Sequence, residues 1–140
     1  MKLHYSMKEI LELMSLFIMI IDDDPLVGMG VQDRLAGIDC DIKLHSDSLT
    51  ALEAVKREKP NLILLDICMP GVDGLTLCRQ LKGDSETRDI RIVAISGSTR
   101  ASDHQSILAH GAEAFIPKPL DDNFSQRITE LLSSSRRPSP

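Results

Sequence analysis

Cysteine is scarce in this sequence, and its few copies form no recognisable pattern. Cys40, Cys68 and Cys78 are the three cysteines among 140 residues, and none belongs to a CxxC motif or to a Cys/His pair at metal-site spacing. An odd set of this kind predicts neither a disulfide framework nor a zinc site. Reduced thiols are the simplest interpretation, and they favour a cytoplasmic location.

A segment long enough to cross a membrane is also missing. The apolar segment 10–21 contains Glu12, ends at Asp22 and is shorter than the roughly 20 residues that a membrane span needs. No small-residue cleavage site follows it, so a signal peptide is not predicted. We expect residues 1–15 to form an N-terminal extension that contains a short helix, and we expect no contact with a membrane.

Positive charge is not in excess either. The net charge of -5 and the pI near 5.3 argue against nucleic acid or anionic lipid as the direct ligand. Hydrophobic residues make up 42% and charged residues 26%, which is typical of a soluble globular protein. The length predicts one domain, which we place at 16–132, and the polar segment 133–140 is predicted to be a disordered tail.

The sequence does contain a regular alternation of strand and helix patterns. Apolar runs predict strands at 16–21, 41–45, 62–65, 90–95 and 114–116. Helical spacing and boundary residues predict helices at 25–36, 48–59, 75–82, 100–110 and 122–132. The fourth helix has few apolar anchors, chiefly Ile107 and Leu108. Strands that alternate with helices through short connections predict a parallel sheet with helices on both faces.

Asp66 is the leading candidate for a functional residue. It ends the unbroken apolar run 62–65 and is followed by the breakers Met69-Pro70-Gly71. A run bounded in this way suits a buried parallel strand, although so short a run also fits a buried helix. Parallel sheets bind ligands at the carboxyl ends of their strands, which is where this carboxylate is predicted to lie. The alternative is that Asp66 caps a helix or stabilises a turn, as lone aspartates at strand ends often do.

Other polar residues follow the predicted strands at the same edge of the sheet. They are Asp22, Asp23, Asp24, Asp66, Ser96 and Lys118. Two carboxylates about 4 Å apart repel by roughly 4 kcal/mol at an effective dielectric constant of 20, so such a cluster either keeps a proton or binds a hard cation. Mg²⁺ is the natural candidate because it prefers oxygen ligands and bridges carboxylates to phosphate. A lysine and a hydroxyl suit phosphoryl oxygens, and a carboxylate can attack phosphorus.

These residues resemble the motifs of a response-regulator receiver domain of two-component signalling, over about residues 16–132. The resemblance rests on the acidic pair Asp22-Asp23, on Asp66 in LILLDICMPGVDG, on Ser96 in IVAISG and on Lys118 in FIPKP. It implies a flavodoxin-like, doubly wound sheet of five parallel strands in the order 2-1-3-4-5, with helices on both faces. It also implies a cis bond between Lys118 and Pro119.

The resemblance implies a role for each residue of the site. Asp66 is the expected phospho-acceptor, and Lys118 and Ser96 are expected to bind the phosphoryl group. The expected Mg²⁺ ligands are Asp22, Asp23, Asp66 and the main-chain carbonyl of Cys68. Ser96 and Phe115 are the expected switch residues, while Cys68 and Ser98 are expected to tune the lifetime of the phosphoryl group. Asp24 falls one place beyond the acidic pair and is expected to cap the following helix instead.

A signalling role follows from the resemblance, with partners that the sequence leaves open. The phosphoryl donor is expected to be a sensor histidine kinase or a phosphotransfer protein. Phosphorylation is expected to shift the face formed by the fourth helix, the fifth strand and the last helix, and an output partner or a second copy of the chain would bind there. The chain is either a stand-alone receiver or part of a longer protein.

Two other functions share parts of this pattern. A Mg²⁺-dependent phosphatase of the haloacid-dehalogenase type also forms an aspartyl phosphate, but its signature would need Thr or Val where this chain has Leu26, after Asp22 and Asp24. A pseudo-receiver, which binds partners without phosphorylation, normally lacks the acceptor, an acid or the lysine, and this chain has all of them. We therefore expect a protein that catalyses only its own phosphotransfer and dephosphorylation.

Overall fold

The computed structural model describes His4, Ser6 and residues 16–133. Its strands are β1 Phe17–Ile21, β2 Asp41–His45, β3 Leu62–Asp66, β4 Arg91–Ser96 and β5 Ala114–Pro117. Its helices are α1 Pro25–Arg34, α2 Ala51–Glu58, α3 Gly74–Gly83, α4 Ala101–Ala109 and α5 Phe124–Ser133. Apart from the isolated residues His4 and Ser6, the segments 1–15 and 134–140 lie outside the described residues, and so do the predictions for them. Ser133, the first residue of the predicted tail, is instead the last residue of α5.

The strands form one parallel sheet in the order β2-β1-β3-β4-β5, which confirms the predicted fold. In this order β1 lies between β2 and β3, with Ile21 in register with both His45 and Leu65. On the other side Asp66 is in register with Ile95, and Ser96 with Pro117. Because every strand points the same way, the residues that follow the strands meet at one edge.

The hydrophobic core has two layers, one on each face of the sheet. Alternate side chains of a strand point to opposite faces, so Met19 and Ile21 lie in one layer while Ile18 and Ile20 lie in the other. The first layer packs against α2, α3 and α4, and the second against α1 and α5. Burial on both faces explains why the strands are continuous apolar runs.

The start of α1 follows the predicted boundary signals. Asp24 caps the helix by accepting a hydrogen bond from the main-chain N–H of Leu26, and Pro25 occupies the first turn. The buried residues of this helix are Gly28 and Val31, whereas Leu26 and Met29 are exposed. Gly28 is buried because α1 packs closely on β2, where a Cβ on this residue would lie 3.4 Å from Leu44.

Two details of the other helices differ from the sequence prediction. The helix α2 begins at Ala51 rather than at residue 48, because Asp47 accepts a hydrogen bond from the N–H of Leu49 and forms a turn there. In α4 the single buried residue is Ile107, and the predicted anchor Leu108 is 46% exposed because that side of the helix faces away from the sheet.

Among the described residues, no helix combines the length and apolar character of a membrane span.

Candidate functional site

Three carboxylates meet at the carboxyl edge of the sheet. Asp22 and Asp23 follow β1 and Asp66 ends β3, and one oxygen from each lies within 4.8 Å of the others. Asp22 and Asp66 are buried, while Asp23 is exposed. The cluster forms because β1 and β3 are neighbours in the sheet, although the residues are far apart in sequence.

The ammonium group of Lys118 enters this cluster from the end of β5. Its Nζ lies 2.8 Å from Oδ2 of Asp22 and 3.5 Å from Oδ2 of Asp66. The main-chain N–H of Lys118 donates a hydrogen bond to the carbonyl of Ser96, which ties the residue to the end of β4. Burial lowers the pKa of Lys118, but its hydrogen bond to Asp22 and the charges of both aspartates outweigh burial, so the pKa is raised. The bond between Lys118 and Pro119 is cis, which confirms that prediction.

The environment of Asp66 favours its neutral form more than water does. Burial is the main cause, and the negative charge of Asp22 adds to it. The N–H of Cys68, which donates to Oδ1 of Asp66 over 3.1 Å, and the charge of Lys118 act in the opposite direction. The net result raises the pKa of Asp66 from 3.8 to about 6. Asp66 is therefore mostly ionised at pH 7.

This pKa predicts how stability depends on pH when no divalent cation is bound. An acid with a raised pKa in the folded state stabilises the fold below about pH 4, and that contribution is lost as pH rises through about 6. Asp66→Asn removes this titration. We expect the variant in EDTA to be more stable than the native chain by about 2 kcal/mol at pH 7.5, with little difference at pH 4.

Urea unfolding at pH 4, 6 and 7.5 measures this effect. Asparagine keeps an oxygen that can accept the N–H of Cys68, so the comparison isolates the charge of Asp66. Adding Mg²⁺ should reduce the difference in free energy of unfolding at pH 7.5. The cation stabilises only the native chain, which has the full set of carboxylates. A constant difference between the two chains at all three pH values would contradict the shifted pKa.

The residues of the acidic cluster fit a magnesium ion. Asp22, Asp23 and Asp66 supply three hard oxygen ligands within 4.8 Å of one another, and the exposed Asp23 leaves the site open to solvent. Oδ1 of Asp22 accepts the N–H of Asp24 and Oδ2 pairs with Lys118, but a carboxylate oxygen can accept more than one partner. The role of the Cys68 carbonyl as a further ligand stays a prediction.

The predicted switch hydroxyl and the predicted rate-tuning residues lie next to one another. Ser96 is buried at the end of β4, and its Oγ accepts the N–H of Ser98 over 3.0 Å. The thiol of Cys68 lies 3.6 Å from the same oxygen. The hydroxyl of Ser98 donates to Asp103 in α4 over 2.5 Å, so this residue joins the site to α4. The effects of Cys68 and Ser98 on phosphoryl lifetime stay predictions.

The structure adds one residue to the switch region that the sequence did not indicate. The ring of His104 in α4 stacks on Phe115 in β5, with ring centroids 3.7 Å apart and an angle of 27° between the planes. Nε2 of the same imidazole lies 3.1 Å from the carbonyl oxygen of Ser98. No local pattern marks His104, because its partners belong to a different strand and to a preceding loop.

Comparison with known proteins agrees with this geometry. The model of the family described as response regulator receiver domain matches residues 18–129. The chain is 38% identical to the response regulator PleD of Caulobacter vibrioides over 109 residues, which are 78% of this chain and 24% of PleD. It is 32% identical to the response regulator MprA of Mycobacterium tuberculosis over 123 residues, which are 88% of this chain and 50% of MprA. The chain thus spans about a quarter of the length of PleD and half of the length of MprA.

Solved structures show the same fold. The beryllofluoride-activated N-terminal receiver domain of RstA from Klebsiella pneumoniae superposes with a TM-score of 0.73 at 34% identity, covering 84% of this chain and 99% of that one. The chemotaxis response regulator CheY4 of Vibrio cholerae has a TM-score of 0.74 at 18% identity, over 84% of this chain and 98% of that one, which supports the fold alone. Since the family model covers most of the chain, and the sheet order and the acidic edge agree with it, the chain belongs to the response regulator receiver domain family.

Proposed function

We propose that the chain is a signalling switch in which Asp66 accepts a phosphoryl group, with Mg²⁺ bound, from a sensor histidine kinase or a phosphotransfer protein. The observation that carries this proposal is the surroundings of Asp66. Its carboxylate lies 3.5 Å from the ammonium of Lys118 and within 4.8 Å of two further carboxylates that fit a hard cation. A nucleophile, a fixed cation and a metal site at one point suit phosphoryl transfer.

Each residue has a distinct part in the proposed transfer. Bound Mg²⁺ supplies positive charge that offsets the repulsion between the carboxylates and the incoming phosphoryl oxygens. A carboxylate oxygen of Asp66 forms a bond to phosphorus as the bond between phosphorus and the leaving group of the donor breaks. Lys118 neutralises charge on the transferring oxygens, and Ser96 offers a hydroxyl to the product. The expected product is an aspartyl phosphate at Asp66.

Mass spectrometry of the intact chain tests this proposal. Incubation with a small-molecule phosphodonor should add the mass of one phosphoryl group when Mg²⁺ is present and none when EDTA is present. Labelling that is equally fast without a divalent cation would contradict the role given to the acidic cluster.

We place the reaction in the cytoplasm, as the sequence predicts for reduced thiols.

The domain is proposed to act on itself rather than on external phosphoesters. The phosphatase alternative needs Asp24 as a second catalytic acid, but this side chain accepts the N–H of Leu26 and caps α1. We therefore expect the domain to show no sustained turnover of an external phosphoester. Continuous release of phosphate from a phosphoester such as p-nitrophenyl phosphate would favour the enzyme interpretation.

We also propose a route by which phosphorylation changes the surface of α4, β5 and α5. The N–H of Ser98 donates to Ser96, the carbonyl of Ser98 lies beside Nε2 of His104, and His104 stacks on Phe115. A phosphoryl group adds about -1.5 to -2 charge and three acceptor oxygens beside Ser96. Movement of Ser96 towards these oxygens would alter the contact between His104 and Phe115. An output partner or a second copy of the chain would bind the altered surface.

Amide hydrogen exchange with and without beryllofluoride and Mg²⁺ tests this route. We expect changed protection in α4 and β5, because α4 has Ile107 as its one buried residue and is therefore easily shifted. The same treatment of Asp66→Asn is the control and should produce no change. Changes confined to α2, which packs on the same face of the sheet as α4 but follows β2 at the opposite edge from β5, would show that the signal takes another path.

A further inference from the structure

The segment between β3 and α3, residues 67–73, controls part of the environment of Asp66. The N–H of Cys68 in this segment donates to Oδ1 of Asp66 over 3.1 Å. The carbonyl of the same residue is the predicted main-chain ligand of Mg²⁺. A shift of this segment therefore changes both the hydrogen bonding of the acceptor and the fit of the cation.

One side chain that ties the middle of this segment to the rest of the fold is that of Ser48. It lies in the loop between β2 and α2 and is 6% exposed. Its hydroxyl donates to the carbonyl of Pro70 over 2.7 Å and accepts the N–H of Val72 over 3.0 Å. One hydroxyl thus bonds to the carbonyl before Gly71 and to the N–H after it, which are 22 and 24 residues away from Ser48 in the sequence.

The shape of the segment is adapted to this hydroxyl. Gly71 has a φ of +87°, and a Cβ on this residue would lie 2.7 Å from Oγ of Ser48. The first residue of α3, which directly follows the segment, is even closer to β3, since a Cβ on Gly74 would lie 2.3 Å from the carbonyl oxygen of Asp66. Ser48 therefore holds the middle of the segment, while the close approach of Gly74 to β3 fixes where the segment ends.

We propose that Ser48 is a positioning residue for the phosphotransfer site, which acts by holding the segment 67–73 in the conformation that binds Mg²⁺ beside Asp66. This inference rests on the proposed function. Removing the hydroxyl leaves the carbonyl of Pro70 and the N–H of Val72 without this partner. The segment then samples other conformations, and the cation must select the competent one, which lowers its apparent affinity.

Two variants of Ser48 and one control test the proposal. Ser48→Ala removes the hydroxyl, and Ser48→Cys keeps a similar size with a weaker donor and acceptor. Thr50→Ala is the control, because Oγ1 of Thr50 bonds to Asp47 and His45 and not to the segment 67–73. Calorimetry with MgCl₂ should show a dissociation constant about tenfold higher for Ser48→Ala, an intermediate value for Ser48→Cys and no change for Thr50→Ala.

Hydrogen exchange of the Val72 amide in EDTA gives a readout that does not depend on the metal. We expect faster exchange at Val72 and Cys68 in Ser48→Ala, with unchanged exchange in the central strands. Equal Mg²⁺ affinity of the native chain and both Ser48 variants would overturn the proposal, and so would a uniform loss of protection throughout the sheet. A native chain that neither binds Mg²⁺ nor accepts a phosphoryl group would instead overturn the proposed function, on which this role of Ser48 depends.

Discussion

Asp66→Asn is expected to abolish phosphorylation of the domain. The amide lacks the anionic oxygen that attacks phosphorus. The carboxylate of Asp66 accepts a hydrogen bond from the N–H of Cys68 and lies 3.5 Å from the ammonium of Lys118. These two contacts orient it for the attack. Intact-mass measurement with saturating small-molecule phosphodonor and Mg²⁺ should show one added phosphoryl group on the native chain and none on the variant.

Asp66→Asn is expected to remain folded. The variant is expected to be at least as stable as the native chain at pH 7.5, because it lacks the buried carboxyl group of Asp66, whose pKa is raised by folding. A matched control is Asp24→Asn, which changes an exposed aspartate that caps α1 and should leave labelling intact. Labelling of Asp66→Asn to the same extent as the native chain would show that the acceptor is another residue.

Lys118→Ala is expected to slow phosphorylation about 100-fold, because a fixed cation beside the reacting oxygens stabilises the charge that develops during transfer. It should also lower stability in EDTA by about 2 kcal/mol, since the fully buried carboxylate of Asp22 loses its partner at 2.8 Å. Mg²⁺ should restore part of this loss, because the cation then supplies the positive charge that the cluster lacks. Labelling kinetics and urea unfolding, each with and without Mg²⁺, measure both effects.

Lys56→Ala is the matched control for this variant. Nζ of Lys56 also lies 2.8 Å from an aspartate oxygen, that of Asp84, and the side chains of Lys56 and Lys118 are 26% and 24% exposed. The two variants therefore remove ion pairs of similar geometry, one distant from the site and one within it. Equal labelling rates for Lys118→Ala and Lys56→Ala would remove Lys118 from the transfer site.

Much of the site is predictable because its residues follow strands that local patterns identify. The apolar run before Asp66 is short enough to fit a buried helix as well, but the breakers that bound it favour a buried parallel strand, and parallel strands bring their carboxyl ends to one edge. Asp24 is predicted to cap α1 and does so, because Pro25 after an aspartate is a local helix-start signal. Such features depend on neighbouring residues, which the sequence shows directly.

The contacts of Ser48 and His104 are not predictable in this way. Helical spacing places Ser48 at the beginning of a helix, but its hydroxyl binds the segment that follows β3, and His104 stacks on a ring from β5. The exposure of Leu108 escapes prediction for a similar reason, since one side of α4 faces the sheet and helical spacing alone does not say which. These contacts join elements that are distant in the chain.

Local patterns are enough to predict how strands and helices alternate along the chain, that the sheet is parallel, and which residues end each strand. Hydrophobic periodicity and helix boundaries depend on near neighbours in the sequence. Which of those residues touch is settled by packing in three dimensions: Asp22, rather than Asp66, is the nearer partner of Lys118, and Asp24 turns away from the cluster to cap α1. Packing also sets the burial that, with the charge of Asp22, raises the pKa of Asp66 to about 6. Distances and burial follow from how the helices pack on the two faces of the sheet. This packing brings together side chains that are far apart in sequence, so the sequence spacing does not give the distance between them.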